Sequence, residues 1–151
     1  MNHGTEAHKI ADVLAEKGIP VIYGPLFTSR SKVELRDRGI PNLATIAAAG
    51  VRVAITTDAP VVPINMLVDQ ATAAIKEGLP WQTALEALTV NPAEILGFGD
   101  RVGRLEVGHD ADLVLWDGDP LAATSRATRV WIEGAQVFEW ADGQGVTSDR
   151  W

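Results

Sequence analysis

The chain has 151 residues, 46% of them hydrophobic, enough for one packed domain or a sizeable part of a larger one, and this excludes a disordered segment. Thirteen Lys and Arg against twenty Asp and Glu leave a net charge of −7, which disfavours nucleic acid and anionic membrane surfaces and favours a small-molecule substrate or a protein partner. There is no cysteine, so any metal must be held by His, Asp or Glu, and the composition suits the cytoplasm.

The first stretch, "MNHGTEAHKIADVLAEKG", lacks the basic segment and continuous apolar core of a signal peptide. No apolar run approaches the ~20 residues of a membrane span. From Thr5 to Lys17 the residues Ile10, Val13 and Leu14 recur at helical spacing, with Thr5 placed to cap, Glu6 in the first turn and Gly18 past the end. "IPVIYG", residues 19–24, predicts a strand, and "PLFTSRSKVELRDRGIP" its long exit loop. "NLATIAAAG" predicts a helix ending at Gly50, and "VRVAIT" a second strand apolar enough to be buried on both faces.

Three helical stretches follow. Leu67, Ala71, Ala74 and Ile75 share a face of the first, which ends at Gly78; Trp81, Ala84, Leu85 and Leu88 share a face of the second, which Pro80 opens. "NPAEILG" carries start and stop signals together: Asn91 as cap, Pro92 in the first turn, Glu94 three residues after the cap and Gly97 as terminator. The last third alternates short Val, Leu, Trp and Phe runs with Gly-Asp and Glu-Gly turns, the pattern of a small antiparallel β unit beginning near residues 98–101. The tail, "ADGQGVTSDRW", is polar and reads as frayed. Two α/β units close no sheet by themselves and leave both edges open, so the chain reads as part of something larger.

"VRVAITTDAP" directs attention to Asp58. In a parallel α/β barrel, reactive groups sit where strands give way to loops, and Asp58 stands three residues beyond Ile55 at such a place. A turn cap before Pro60 is an equally good account of an acid there. His3 opens "HGTEA", a histidine and a turn-permitting glycine before a helix, as a loop on the same face would read; an ordinary exposed histidine explains it too. His8, within a helix, and His109, beside Gly108, read as structural or exposed.

Taken in order, "HGTEAHKIADVLAEKGIPVIYGPLFTSRSKVELR", "GVRVAITTDAPVVPINML", "ALEALTVNPAEILGFGDRVGRLEVGHDADLVLWDGDPL" and "VWIEGAQVF" resemble the second half of a metal-dependent amidohydrolase of the imidazolonepropionase-like group. The most specific part is "TTDAP", then "TVNPAEILG", then "VGRLEVGHDADLVLWD". The resemblance implies an α/β fold: residues 1–98 as the C-terminal part of a (β/α)8 TIM barrel, from the end of its sixth strand to its eighth, residues 99–140 as C-terminal strands of a small β-sandwich, and residues 141–151 as a polar tail. It implies a hydrolase of non-peptide C–N bonds, in an amide, a cyclic amide or an amino-acid derivative. It assigns Asp58 as metal ligand and proton acceptor for the attacking water, and His3 as second-metal ligand or orienting group. One or two divalent ions, zinc first among them, are the implied cofactor. Arg30 lies on the loop after the seventh strand, where it could meet a substrate carboxylate or remain solvated.

Departures from the pattern carry their own expectations. The family's His-Xaa-His pair and the ligands after its fourth and fifth strands have no counterpart here, and Ala59 stands where close relatives often carry histidine. The isolated chain is therefore expected to be inactive. The alternative to an active enzyme part is a half-barrel that associates with itself as a homo-oligomer or with a separate N-terminal half.

Overall fold

The computed structural model describes residues 1–28 and 37–148. Its first half alternates helix and strand. A 3-10 turn, Ala7–Ile10, runs into α1, Ala11–Glu16. Thr5 is not the cap: the turn opens after Glu6 with no side-chain capping hydrogen bond, and packing of Ala7, Ala11 and Leu14 into the core holds the segment instead. Then come β1, Val21–Tyr23, α2, Pro41–Ala48, and β2, Val53–Ile55. All three residues of β2 are buried, as both-face burial of a parallel strand requires. α2 places Pro41 in its first turn, where a missing N–H costs nothing, and buries Leu43 and Ile46.

β1 and β2 pair in parallel, with Val21 opposite Val53 and Tyr23 opposite Ile55. The outer side of β1 is met by the first residues of the chain. Asn2 forms a parallel bridge with Ile22, the Ile22 N–H donates to the Met1 carbonyl at 2.8 Å, and the Gly4 N–H donates to the Ile22 carbonyl at 3.3 Å. A Cβ on Gly4 would lie 2.6 Å from Val21 Cγ1, so only glycine allows this approach.

The outer edge of β2 is not open, in contrast to the sequence-based expectation. Val21 N–H donates to the Arg52 carbonyl and Thr56 N–H to the Tyr23 carbonyl, so Val53 and Ile55 turn their own backbone groups away from β1. On that side the Ile55 N–H donates to the Ala87 carbonyl at 3.1 Å, and the Val53 carbonyl accepts from Asn91 Nδ2 at 2.9 Å. Asn91 is thus no helix cap. It lies inside α5, Val90–Ile95, buried, with its amide committed to the strand, because a buried carbonyl without a donor costs more than an uncapped exposed helix end. The helices α3, Leu67–Lys76, and α4, Trp81–Glu86, fall where periodicity puts them.

The second half is one antiparallel sheet in the order β3, Leu113–Trp116, β4, Ala127–Ile132, β5, Ala135–Ala141, and β6, Gln144–Thr147. The turns Glu133–Gly134 and Asp142–Gly143 have φ of 49° and 77°, and 51° and 78°, the left-handed pairs that two-residue hairpins need. The second turn corrects the frayed tail read from the sequence: Asp-Gly reverses the chain and residues 144–147 add a strand to β5. No second layer of strands covers this sheet among the described residues. It is tied to the first half through its connector, where Trp81 Nε1 donates to Asp119 at 3.0 Å, Thr72 Oγ1 donates to the Leu121 carbonyl at 2.8 Å, and Leu121 joins the core. Among the described residues no helix is long and apolar enough to cross a membrane.

Candidate functional site

Three loop ends meet at the C-terminal side of the parallel strands. The first holds His3, fixed by its N–H donating to Asn2 Oδ1 at 3.0 Å and by the bridge of Asn2 to β1. The second follows β1 at Gly24. The third follows β2 at Thr56, Thr57 and Asp58, where the Asp58 N–H donates to Thr56 Oγ1 at 3.1 Å.

The loops are locked together. A Cβ on Gly24, whose φ is 144°, would lie 2.1 Å from the Thr56 carbonyl oxygen, so the second and third loops touch only because that residue is glycine. Gln70 of α3 is completely buried beneath them: its Oε1 accepts from the Leu26 N–H and its Nε2 donates to the Thr56 carbonyl at 3.3 Å. Thr57 is buried and its carbonyl accepts from the Val62 N–H at 3.2 Å. A buried amide satisfied on both loops gives them one relative position.

On this base His3 Nε2 and Asp58 Oδ1 face each other at 3.7 Å, with their side chains 43% and 45% exposed. Both backbones are left-handed, at φ 56° and 51°, a conformation that costs a side-chain-bearing residue energy and that the surroundings must impose. His3 Nδ1 lies 3.2 Å from the Gly24 carbonyl, and since a carbonyl can only accept, Nδ1 carries the hydrogen. In its neutral form such a ring presents the Nε2 lone pair toward the carboxylate. Two electron-pair donors directed at one point suit a cation, and an imidazole anchored by Nδ1–H to a carbonyl is how metal-binding histidines are oriented.

The pair fits a divalent metal in donor type and tautomer but supplies two donors where zinc takes three or four from protein. No group of three or more potential ligands forms among the described residues. His8, in the 3-10 turn, has Nδ1 buried without a hydrogen-bond partner, and His109 Nε2 lies 3.3 Å from the Gly99 carbonyl; neither joins His3 and Asp58. Arg30 lies outside the described residues.

Sequence reasoning missed three residues that shape the site. Gln70 reads as an ordinary polar position in α3, Tyr23 as a strand residue, and Arg38 as a loop charge. Tyr23, 1% exposed, donates its hydroxyl to the Gly39 carbonyl at 2.9 Å. Arg38 Nη1 donates to Thr28 Oγ1 at 2.9 Å. Gln70 stands three residues after Leu67 and four before Ala74, on the apolar face of α3, and that register is the signal in the sequence that could have pointed to a tie between loops.

A family model described as "Amidohydrolase family" matches residues 1–138. A crystal structure of an amidohydrolase from Thermotoga maritima is 47% identical and superposes with a TM-score of 0.88 over 92% of this chain and 36% of its own. A zinc-bound adenosine deaminase from Xanthomonas campestris is 28% identical, with a TM-score of 0.69 over 90% of this chain and 36% of its own. In sequence, a 5-methylthioadenosine/S-adenosylhomocysteine deaminase of Desulforudis audaxviator is 38% identical over 69% of this chain and 25% of its own length. An imidazolonepropionase of Cupriavidus necator is 38% identical over 54% of this chain and 20% of its own. The chain therefore spans about a third or less of these relatives. With an α/β fold shared at this similarity and a family match over nearly its full length, the chain belongs to the amidohydrolase family.

Proposed function

We propose that this chain is the C-terminal part of a metal-dependent amidohydrolase that hydrolyses a non-peptide C–N bond, in an amide, a cyclic amide or an amino-acid derivative. β1 and β2 are then the seventh and eighth strands of a (β/α)8 TIM barrel, and residues 1–4 the end of the sixth. The observation that carries the reading is the His3–Asp58 pair, held at 3.7 Å with Nδ1 tied to the Gly24 carbonyl and both residues in left-handed backbone. A turn-capping Asp58 would need neither the histidine opposite it nor the buried Gln70 beneath its loop.

His3 and Asp58 would hold one or two divalent ions, and zinc suits a nitrogen and a carboxylate donor. When bound, the metal lowers the pKa of water toward neutrality and polarises the carbonyl or ring carbon under attack. The Asp58 carboxylate accepts the proton of the attacking water and returns it to the departing nitrogen. His3, its ring fixed by Gly24, aligns the site through Nε2. The remaining donors come from the portion of the relatives that this chain does not span.

The test supplies that portion. The corresponding N-terminal part of the Thermotoga relative, fused or co-expressed with this chain, should give a complex that binds metal stoichiometrically and cleaves C–N substrates. Asp58→Asn should lower turnover by at least about a hundredfold, because an amide cannot take the proton. Undiminished turnover in that variant would falsify the assignment. His3→Ala should lower metal content in a two-ion site and mainly turnover in a one-ion site.

A second reading has its own observation. The described residues gather no third ligand, which favours a part that acts only in association, with a second copy or a separate N-terminal half. Light scattering and elemental analysis of the chain alone test it: self-association and weak zinc binding are expected, and a metal-loaded monomer would count against it.

A further inference from the structure

The loop after β1, whose Gly24 carbonyl meets His3 Nδ1, also borders a cavity of about 160 Å³ that reaches the segment leading into α2. Tyr23, Leu26, Thr28, Arg38, Gly39 and Ile40 line it. By liquid volume it has room for roughly five waters, so also for a carboxylate with a few carbons attached. We propose that Arg38 makes this cavity a carboxylate-binding subsite, so that the substrate of the His3–Asp58 site carries a carboxylate a short distance from the bond that is cleaved. The inference rests on the hydrolase reading above for what the carboxylate is attached to, and on the cavity alone for the carboxylate itself.

The guanidinium is half satisfied. Nη1 donates to Thr28 Oγ1 at 2.9 Å, while Nη2 is buried with no hydrogen-bond partner among the described residues. A buried charged donor left without an acceptor is costly and is normally paired. A carboxylate answers that need in the geometry a guanidinium prefers, two oxygens against two parallel N–H groups. The wall is preset: Tyr23 is buried and its hydroxyl holds the Gly39 carbonyl, so the backbone beside Arg38 has a fixed place.

Charge selects carboxylate over phosphate. Among the described residues that line the cavity Arg38 is the one cation, and Leu26, Ile40 and the Tyr23 ring leave that lining largely apolar. One positive charge matches a monoanion with a hydrocarbon stem and leaves a phosphate dianion half neutralised. With a net charge of −7 the protein offers no general attraction to anions, so selection depends on the half-buried Arg38. Burial lowers the Arg38 pKa while Tyr23 and Asp58 act the other way, and a guanidinium stays charged near neutral pH under such a shift.

The experiment needs no activity and no metal. The chain is titrated with N-acetylglycine and, separately, with N-acetylglycinamide, which has the same size and no charge, while the Arg38 side-chain signals and the Leu26, Thr28 and Gly39 amides are followed by NMR. Saturable shifts at these positions with the acid, and affinity at least about tenfold weaker for the amide, are expected from loss of a charge-assisted pair. Arg38→Gln should abolish the acid preference and Arg38→Lys should keep part of it. Equal responses to acid and amide in the unmodified chain would overturn the proposal, whatever the variants do. Asp58→Asn separates the two readings: it should remove zinc binding in the assembled complex yet leave the acid preference in place. Loss of the acid preference in Asp58→Asn would place the anion at the metal site and sink the Arg38 subsite.

Discussion

Residues 1–98 and the sheet from β3 to β6 are built on opposite terms. In the first, Val21, Leu43, Ile46 and Val53 are wholly inaccessible and Gln70 is buried with them. In the second, among the described residues from 99 to 148, Leu121 alone is fully buried, and it belongs to the connector that packs on the helices. Left-handed residues follow the same division. Glu133 and Asp142 adopt that backbone in hairpin turns next to glycines, which reverse the chain and nothing more. His3 and Asp58 adopt it where loops leave the parallel strands, and there it turns two side chains toward each other. Two side chains held at a fixed separation need a base that does not yield, and only the first region has one. The sheet is held by its ladder, by hairpins and by surface contacts such as Arg126 over the Trp140 ring at 4.5 Å.

Paired substitutions can break or sharpen this contrast. The largest gap is expected between Leu43→Ala, which empties a completely buried site and should cost about 3–5 kcal/mol, and Val114→Ala, at 49% exposure, which should cost less than about 1 kcal/mol. Urea unfolding of both measures it, and equal losses would mean that the sheet has a covered face after all. Next is Gly24→Ala against Gly143→Ala. Both have positive φ, but a Cβ on Gly24 meets the Thr56 carbonyl at 2.1 Å and one on Gly143 meets nothing within 4 Å. About 2–4 kcal/mol is expected for the first, with loss of the His3–Asp58 geometry, and about 1–2 kcal/mol for the second.

A smaller gap separates two hydrogen bonds. Asn91→Leu strips the buried Val53 carbonyl of its donor and should cost about 1–3 kcal/mol, whereas Thr128→Val removes an exposed hydroxyl from the Leu115 carbonyl, to which water has access, and should cost under about 0.5 kcal/mol. The smallest effect is electrostatic. The hydrogen bond from Arg104, with help from the charge of Arg52, holds the Glu94 carboxyl below its ordinary pKa of 4.5. A carboxyl lowered on folding stabilises the protein above its unfolded pKa and loses that contribution as pH falls through its folded value. Thermal melts of Glu94→Gln should therefore lie slightly below the parent near neutral pH and meet it in acid, and a constant gap across that range would exclude Glu94 as the cause.

Among the described residues, periodicity in the sequence was enough to place α3 and α4, and apolar runs to place both parallel strands, because Leu67, Ala71 and Ala74, or the Val-Ala-Ile run of β2, bury one side or all sides at fixed spacing; α5 was marked by its start and stop signals, and the 3-10 turn Ile64–Met66 by neither. Asp58 and His3 were legible as loop-end residues, since a strand followed by an acid, and a histidine followed by glycine, are local patterns. Their meeting was not, because it depends on Gly24 and Gln70, which act across 21 and 14 or more residues of chain. Asn91 shows the limit most clearly. "NPAEILG" contains a complete capping pattern, and the structure overrides it because a strand carbonyl 38 residues earlier has the stronger claim on the amide. Arg38 was invisible for a related reason: the burial of one guanidinium nitrogen is a property of the cavity, not of the segment. Asp142–Gly143 is polar in composition yet forms a hairpin turn, and that turn is what brings residues 144–147 against β5.

The bond from Asn91 to Val53 also says how short this molecule could be. A chain cut after α3 would keep the candidate pair and most of the loops around it, yet the Val53 carbonyl and the Ile55 N–H would lose Asn91 and Ala87 and face solvent as a bare strand edge. Such an edge is a template for aggregation. The segment through α5 is therefore part of the smallest unit that can present His3 and Asp58 without precipitating, and a library of shortened chains should show an abrupt rise in soluble yield once residue 91 is included.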